Sequence, residues 1–463
     1  MKESIFKAYD IRGRYPEEIN EAAVKKIVSA LVGKFGKKKI VVGHDARLSS
    51  PALSAAVAQS LVVSSDAIGR RADPGRRLRK SLVIVPLGQC TTPMFYFWCH
   101  KLKLPGIMVT ASHNPKDFNG LKVVGPTGEV ISGSEIKKWI PLETAPALAR
   151  PGGALGRAVS NGMDYLKPYA DFLKSRIKLA KPVSAVFDCS NGTTGKVLKE
   201  LFSIKYPVAR IKYKLLNKEP DGNFPAHGPN PMSPGALDQL KREVQRRKAD
   251  FGAAFDADGD RVFFIDDKGR EVPSDAVLGL ISQSFSGPIV VDVRAGYLAK
   301  ELIKAARKKV IESRVGHYFF KKLMKVKKAG FGGEISGHYY FPSAAGEFFD
   351  SGIAAAIHFA NEVSELKGLG GKLSDWLDEM PRYYRSGELN FSVHNKSGVI
   401  KNVERRYSRL AKKISKKDGL KMEFNDYWFS LRPSQTEDLL RLNVEAKRKK
   451  VFQDRLAELK RLI

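Results

Sequence analysis

At three places a short apolar run ends in aspartate, passes through a polar turn and enters a stretch with helical periodicity. Ile40-Val41-Val42-Gly43-His44-Asp45 leads into 52–62, and Val186-Phe187-Asp188 leads through Ser190-Asn191-Gly192-Thr193-Thr194-Gly195 into Val197-Leu198-Lys199-Glu200-Leu201. Ile289-Val290-Val291-Asp292 leads through Val293-Arg294-Ala295-Gly296 into 297–303. Each reads as a buried strand, a loop at its carboxyl end and a crossover helix. Three such units predict three α/β domains of related topology, with ligands bound outside the strand ends. Beyond residue 375 the pattern stops. That part reads as a helix over 403–414, a strand over 427–431, a loop and a basic helix, which together make a smaller α+β domain. The predicted limits are 1–150, 158–262, 263–368 and 375–463.

Two stretches interrupt this order. Residues 64–80 and 142–158 are rich in Arg, Ala, Gly and Pro and lack apolar periodicity. They read as exposed loops, with a local shift of reading frame as the competing reading.

The 463 residues exceed what one core usually supports, and a hydrophobic fraction of 43% fits a packed globular class. No segment approaches the roughly 18 apolar residues of a membrane span, and Met1-Lys2-Glu3-Ser4 opens no signal peptide, so a cytoplasmic protein is expected. Cys90, Cys99 and Cys189 fit no zinc spacing and read as reduced structural thiols. With 80 Lys+Arg against 49 Asp+Glu the formal charge is +31, which raises nucleic-acid binding as a reading. The basic residues are spread along the chain, however, in runs as short as Lys37-Lys38-Lys39 and Lys447-Arg448-Lys449-Lys450. No recognition signature accompanies them, so nucleic acid is not the expected partner.

Two distant segments carry the chemistry. Thr110-Ala111-Ser112-His113-Asn114-Pro115 sets a serine in a polar turn sealed by proline, and Phe255-Asp256-Ala257-Asp258-Gly259-Asp260-Arg261 sets three carboxylates at alternating positions. The carboxylates converge if the backbone turns through Gly259, and an all-oxygen set suits Mg²⁺. An EF-hand is excluded, because its sixth and twelfth positions are Arg261 and Asp267. No Gly-x-Ser-x-Gly elbow surrounds Ser112. A serine already carrying phosphate needs none, because it begins as a phosphoryl donor. Further along, Phe331-Gly332-Gly333-Glu334-Ile335-Ser336-Gly337-His338 puts Glu334 and Ser336 two apart. On an extended segment they would face one side and grip vicinal sugar hydroxyls, beside His338 as a proton carrier. Arg432-Pro433-Ser434-Gln435-Thr436 offers a guanidinium, two hydroxyls and an amide, the donor inventory for a bound phosphate.

In this order, and with Phe6-Lys7-Ala8-Tyr9-Asp10-Ile11-Arg12-Gly13 at the start, these segments resemble the α-D-phosphohexomutase superfamily, in its bacterial and archaeal phosphomannomutase/phosphoglucomutase branch. The resemblance covers nearly the whole chain. It implies three related α/β domains plus a smaller C-terminal α+β domain around a central active-site cleft. It also implies an isomerase that interconverts hexose 6-phosphate and hexose 1-phosphate, of mannose and/or glucose, through a phosphoserine and a hexose 1,6-bisphosphate. Ser112 would be that phosphoserine, and Asp256, Asp258, Asp260 and Ser112 would hold Mg²⁺. Arg12, His113, Lys122 and His338 would stabilise the transferred phosphoryl or move protons. Tyr9, Arg261, Arg294, Gly316 and His317 would line the cleft. Glu334 and Ser336 would contact the sugar, and Arg432, Ser434, Gln435 and Thr436 the non-transferred phosphate. The implied partner is a phosphorylated hexose, bound by a monomer or homodimer. Ala257, where the family often has Gly, and Gln435, where Gly or Asn is commoner, depart from the pattern. Phosphoglucosamine mutase is the nearest alternative, with Glu334-Ile335-Ser336 favouring mannose and glucose. A phosphatase would share the metal site, and a basic nucleic-acid-binding protein is the alternative of another class.

Overall fold

The computed structural model describes residues 1–35, 39–69, 83–140, 163–203, 210–343, 346–434 and 439–463. They form two compact units, Met1–Val272 with Gly337–Ser374, and Pro273–Ser336 with Asp375–Ile463.

The first unit holds two sheets. One runs in spatial order Ile11–Arg14, Phe118–Val124, Gly106–Val109, Lys39–His44, Val83–Gln89, with Val130–Ile131 added to Phe118–Val124. Lys39–His44 lies parallel to both neighbours, which explains its unbroken apolar run, since strands in parallel sheets are covered on both faces. Ile40, Val42, Ile107 and Val109 pack with Ile27, Leu31 and Leu53 of the helices Glu21–Phe35 and Ser50–Gly69. The other sheet is ordered Glu271–Val272, Val262–Asp266, Phe251–Phe255, Val183–Asp188, Ile211–Leu216. Phe251–Phe255 and Val262–Asp266 are an antiparallel pair, and the connection between them carries the three aspartates. The hairpin of Tyr339–Pro342 with Phe348–Asp350 leads into the helix Gly352–Gly368, whose Phe359 stacks on Phe264 at 4.0 Å.

In the second unit Ile289–Asp292 is parallel to Val310–Ser313 and Phe331–Gly333. The C-terminal residues form an antiparallel sheet ordered Tyr384–Arg385, Leu440–Ala446, Tyr427–Pro433, Leu420–Glu423, Lys413–Ser415, with Leu389–Phe391 also on Leu440–Ala446. Val403, Tyr407 and Leu459 of the helices Lys396–Tyr407 and Lys449–Leu462 pack on Phe429 and Leu442 of this sheet.

The three-fold sequence pattern is a shared local structure. Each strand-ending aspartate accepts the backbone N–H two residues on: Arg47 N to Asp45 Oδ1 (3.0 Å), Ser190 N to Asp188 Oδ1 (3.0 Å) and Arg294 N to Asp292 Oδ1 (2.6 Å). This Asx turn reverses the chain before each following helix.

The helix expected over 403–414 is displaced. It spans Lys396–Tyr407, capped by the Asn395 side chain on Gly398 N, and Lys413–Ser415 pairs with Leu420–Glu423 as a strand. Ladder pairing at the sheet edge prevails over the local helical pattern. Residues 64–69, expected in a loop, belong to the helix Ser50–Gly69, while 70–80 and 142–158 lie outside the described residues. All three cysteines are free and buried. Among the described residues no helix is long and apolar enough to cross a membrane.

Candidate active site

The serine turn is built from the end of a buried strand. Gly106–Val109 delivers Thr110, whose hydroxyl accepts the Ser112 N–H (2.9 Å) and donates to Asp45 Oδ2 (2.7 Å). Ser112 itself is buried and left-handed, at φ 51°, a conformation that costs a non-glycine residue roughly 1 kcal/mol or more. Arg47 holds the turn in that shape. Its Nη2 donates to the carbonyls of Ser112 and Asn114 (both 2.6 Å), and Nη1 to those of Pro115 (2.5 Å) and Phe118 (3.0 Å). Nε donates to Asp45 Oδ2 (3.1 Å), so every N–H of this fully buried guanidinium has an acceptor. Neither Arg47 nor Asp45 was expected at the site. The available signal was the Asp-x-Arg pair that closes the first and third repeats alike.

Ser112 Oγ donates to Asp256 Oδ2 (2.8 Å) and lies 3.3 Å from His113 Nδ1. Adjacent residues need not face each other, but here the turn brings them together. Asp256, Asp258 and Asp260 are all buried, and each offers a carboxylate oxygen within 4.8 Å of the others. The backbone turns through Gly259 at φ 73°, as the convergence required, while Ala257 is not among the residues with positive φ, so its methyl is accommodated. Asp258 Oδ2 accepts from Thr92 Oγ1 (2.6 Å) and Lys122 Nζ (2.9 Å), and Lys122 also donates to Asp260 Oδ2 (2.5 Å). Asp258 Oδ1 is buried with no hydrogen-bond partner among the described residues. An all-oxygen trio with an orphaned buried oxygen fits a hard divalent cation.

Positive charge surrounds these carboxylates. Arg12 bridges Asn114 Oδ1 (2.7 Å) and Asp10 Oδ2 (2.5 Å), joining the first strand to the serine turn. Arg261 N donates to Asp256 Oδ1 (3.1 Å), and its Nε reaches His338 Nε2 (3.2 Å), which lies 3.1 Å from Asp260 Oδ1. Burial raises the Asp256 carboxyl well above its usual range, aided by the charges of Asp260 and Asp258. Burial pushes Asp260 the same way, but Lys122, His338 and Arg261 outweigh it and hold this carboxyl well below. Burial, with Arg261 and Arg12 nearby, drives the His113 imidazole well below its usual range, so it stays neutral. Burial opposes the charge of Lys122, yet Asp258 and Asp260 keep it an ammonium. Tyr9 occupies the bend before the first strand and is half-buried.

The remaining expected residues gather in the second unit. Arg294 Nη2 donates to Asp292 Oδ2 (2.8 Å) and lies 3.5 Å from Ser336 Oγ. Glu334 Oε1 accepts the Gly316 N–H (2.7 Å), where the backbone takes φ 116° at the start of the helix His317–Lys327. The extended path assumed for Glu334 and Ser336 is corrected. The strand stops at Gly333, Ile335 N donates to Asp292 Oδ2 (3.0 Å), and the chain turns. Glu334 is thereby directed to Gly316 and Ser336 to Arg294. Arg432 is the penultimate residue of the strand Tyr427–Pro433, and Ser434 N donates to the carbonyl of Leu439 (2.8 Å). Gln435 and Thr436 lie outside the described residues. Glu388, which accepts from Arg432, was not anticipated.

Four sequence profiles of phosphoglucomutase/phosphomannomutase match the chain in order: α/β/α domain I over 3–65 and 79–141, domain II over 164–269, domain III over 273–384 and the C-terminal domain over 388–462. The first profile passes over 66–78, within one of the two compositionally odd stretches. This chain belongs to the phosphoglucomutase/phosphomannomutase family, and with it to the isomerases. A protein of Xanthomonas campestris described as "Phosphohexose mutases" is 34% identical over 454 residues, covering 96% of this chain and 95% of its own. The phosphomannomutase of Methanocaldococcus jannaschii is 32% identical over 469 residues, covering 99% and 97%. That of Escherichia coli K12 is 33% identical over 463 residues, covering 96% and 95%. A crystal structure of a phosphoglucomutase/phosphomannomutase family protein from Burkholderia thailandensis superposes with TM-score 0.81 at 25% identity, covering 100% of this chain and 97% of that one.

Proposed function

We propose that this chain interconverts hexose 6-phosphate and hexose 1-phosphate, of mannose and/or glucose, through phospho-Ser112 and a hexose 1,6-bisphosphate, in the cytoplasm. The observation that carries the reading is the buried Ser112 hydroxyl, 2.8 Å from Asp256 in the carboxylate trio. It stands in a chain similar over almost its full length to named phosphomannomutases. The expected domain limits of 1–150, 158–262, 263–368 and 375–463 belong to this reading.

In the forward half, the bond from phosphorus to Ser112 Oγ breaks and one to the sugar hydroxyl forms. The hydroxyl proton passes to His338, and Oγ regains a proton from His113. In the return half Ser112 Oγ bonds to the phosphorus of the other phosphate as the bond from that phosphorus to its sugar oxygen breaks, and His338 gives its proton to that oxygen. His113, neutral and 3.3 Å from Oγ, takes the serine proton and returns it in the next cycle. Asp256, Asp258, Asp260 and an oxygen of phospho-Ser112 would hold Mg²⁺, which when bound draws charge off the transferring phosphoryl oxygens. Lys122, Arg12 and Arg261 compensate the same charge from fixed positions. Arg47 keeps Oγ aimed, so that little reorganisation precedes attack. Glu334 and Ser336 are read as sugar contacts, with Tyr9, Arg294, Gly316 and His317 lining the site. Arg432, Ser434, Gln435 and Thr436 are read as the phosphate contacts.

A coupled assay of the purified chain with Mg²⁺ and a trace of hexose 1,6-bisphosphate tests the reading. Turnover of mannose 1-phosphate or glucose 1-phosphate to the 6-phosphate is expected. Exclusive turnover of glucosamine 1-phosphate would move the chain to the alternative. Release of inorganic phosphate without isomerisation would replace the mutase with a phosphatase.

A further inference from the structure

Glu388 is the shared acceptor of three arginines. Its Oε2 accepts from Arg432 Nη2 (2.7 Å) and its Oε1 from Arg441 Nη1 (3.0 Å), while Arg294 Nη1 lies 3.6 Å from Oε2. The Arg432 and Arg294 side chains are 4% and 9% exposed, whereas those of Glu388 and Arg441 are 25% and 20% exposed. The carboxylate therefore lies on the open side of the group. Burial pushes its pKa upward, but the three guanidiniums prevail and hold it below the usual carboxylate range, so it is an anion at neutral pH.

Other carboxylates share the group: Asp292 pairs with Arg294, and Asp418 lies 3.8 Å from Arg432 Nε. Glu388 is the one on the open side that takes donors from both Arg432 and Arg441, so displacing it releases Arg432 Nη2 and Arg441 Nη1. That donor set suits the oxygens of a phosphate group, which guanidinium forks bind bidentately as they do carboxylates.

We propose that Glu388 is a resident counter-ion that the non-reacting phosphate of a phosphorylated hexose displaces. The proposal rests on the phosphohexomutase reading above. That reaction needs a bisphosphate to leave this group by one phosphate and return by the other. An arginine cluster with no internal competitor would bind the bisphosphate too tightly in the ground state, and such binding does not raise turnover. Glu388 acts through the arginines and is a positioning residue: it holds Arg432 and Arg441 in place and weakens their grip.

The test is calorimetric titration of inorganic phosphate into the wild-type chain, Glu388→Gln and Glu388→Asp, with steady-state kinetics on mannose 1-phosphate and glucose 1-phosphate. Glu388→Gln is expected to bind phosphate about tenfold more tightly, the scale of one charge-assisted contact. Its KM and kcat should fall together. Glu388→Asp, with its charge drawn back by one methylene, should show the same changes at about two- to threefold. A purely structural role would weaken phosphate binding and raise KM, and either that outcome or unchanged affinity overturns the proposal. Should Glu388→Gln fail to fold, Glu388→Asp decides, with unchanged phosphate affinity counting against the counter-ion. Tighter phosphate binding in a chain without mutase activity would leave the counter-ion intact and overturn the functional reading instead.

Discussion

Asp45-Ala46-Arg47 and Asp292-Val293-Arg294 are the same device in two regions, with opposite surroundings. In both, a strand-ending aspartate accepts the arginine's own N–H and its guanidinium. Arg47 is wholly enclosed, and its other donors grip carbonyls of the serine turn. Arg294 keeps Nη1 for Glu388 at the open side of the second group. The local turn sets where each arginine starts, and what packs over it decides whether all its donors are enclosed or one faces the open side. Around the serine the charges are locked among buried partners. Around Glu388 two guanidiniums donate to one carboxylate on the open side.

The largest expected effect is at the locked region. Ser112→Ala should lower steady-state isomerisation by about a thousandfold or more, since the nearby Thr110 and Thr92 hydroxyls are committed to Asp45 and Asp258. A coupled assay reads this directly, and full activity in that variant would end the assignment. Asp258→Asn should lower kcat by about a hundredfold and shift the Mg²⁺ titration midpoint upward, because it weakens one charged ligand of three. An unchanged titration counts against the metal site.

The two arginines separate on stability. Arg47→Leu leaves Asp45 buried without its cation, along with several unsatisfied carbonyls, at a cost of about 3–5 kcal/mol in urea unfolding. Arg294→Leu should cost less, because the Arg294 guanidinium serves the side chains of Asp292, Ser336 and Glu388 instead of four carbonyls of a turn, and should chiefly raise KM. Equal losses of stability would erase the distinction between scaffold and recognition arginine. The smallest effect is on pH. The His113 pKa is lowered by burial and nearby cations, so His113 remains the neutral acceptor as pH falls through its ordinary value near 6.5. The acid limb of kcat should therefore fall below that value. A midpoint above it would remove His113 from proton transfer.

Much of this was legible in the chain. The three Asp-ended runs pointed to three related strand-turn-helix units, because a buried parallel strand must be apolar throughout and its polar loop must follow at the carboxyl end. Ser112 and the aspartates were visible because their spacing constrains local chemistry. Arg47 and Glu388 were not, because each acts on groups distant in sequence: Arg47 on the turn at 112–118, Glu388 on Arg294, Arg432 and Arg441. The end of the helix Lys396–Tyr407 was missed for the same reason, since the strand after it is defined by its partner across the sheet. The turn at Glu334–Ser336 depends on Asp292, more than forty residues earlier.

The most direct test of the account is to label the chain with hexose 1,6-bisphosphate carrying radioactive phosphate, map the label by peptide mass spectrometry, and chase it with unlabelled hexose monophosphate. The account predicts the label on Ser112 and its recovery in hexose phosphate at the rate of turnover. Label on another residue, or label leaving Ser112 only as inorganic phosphate, would contradict it.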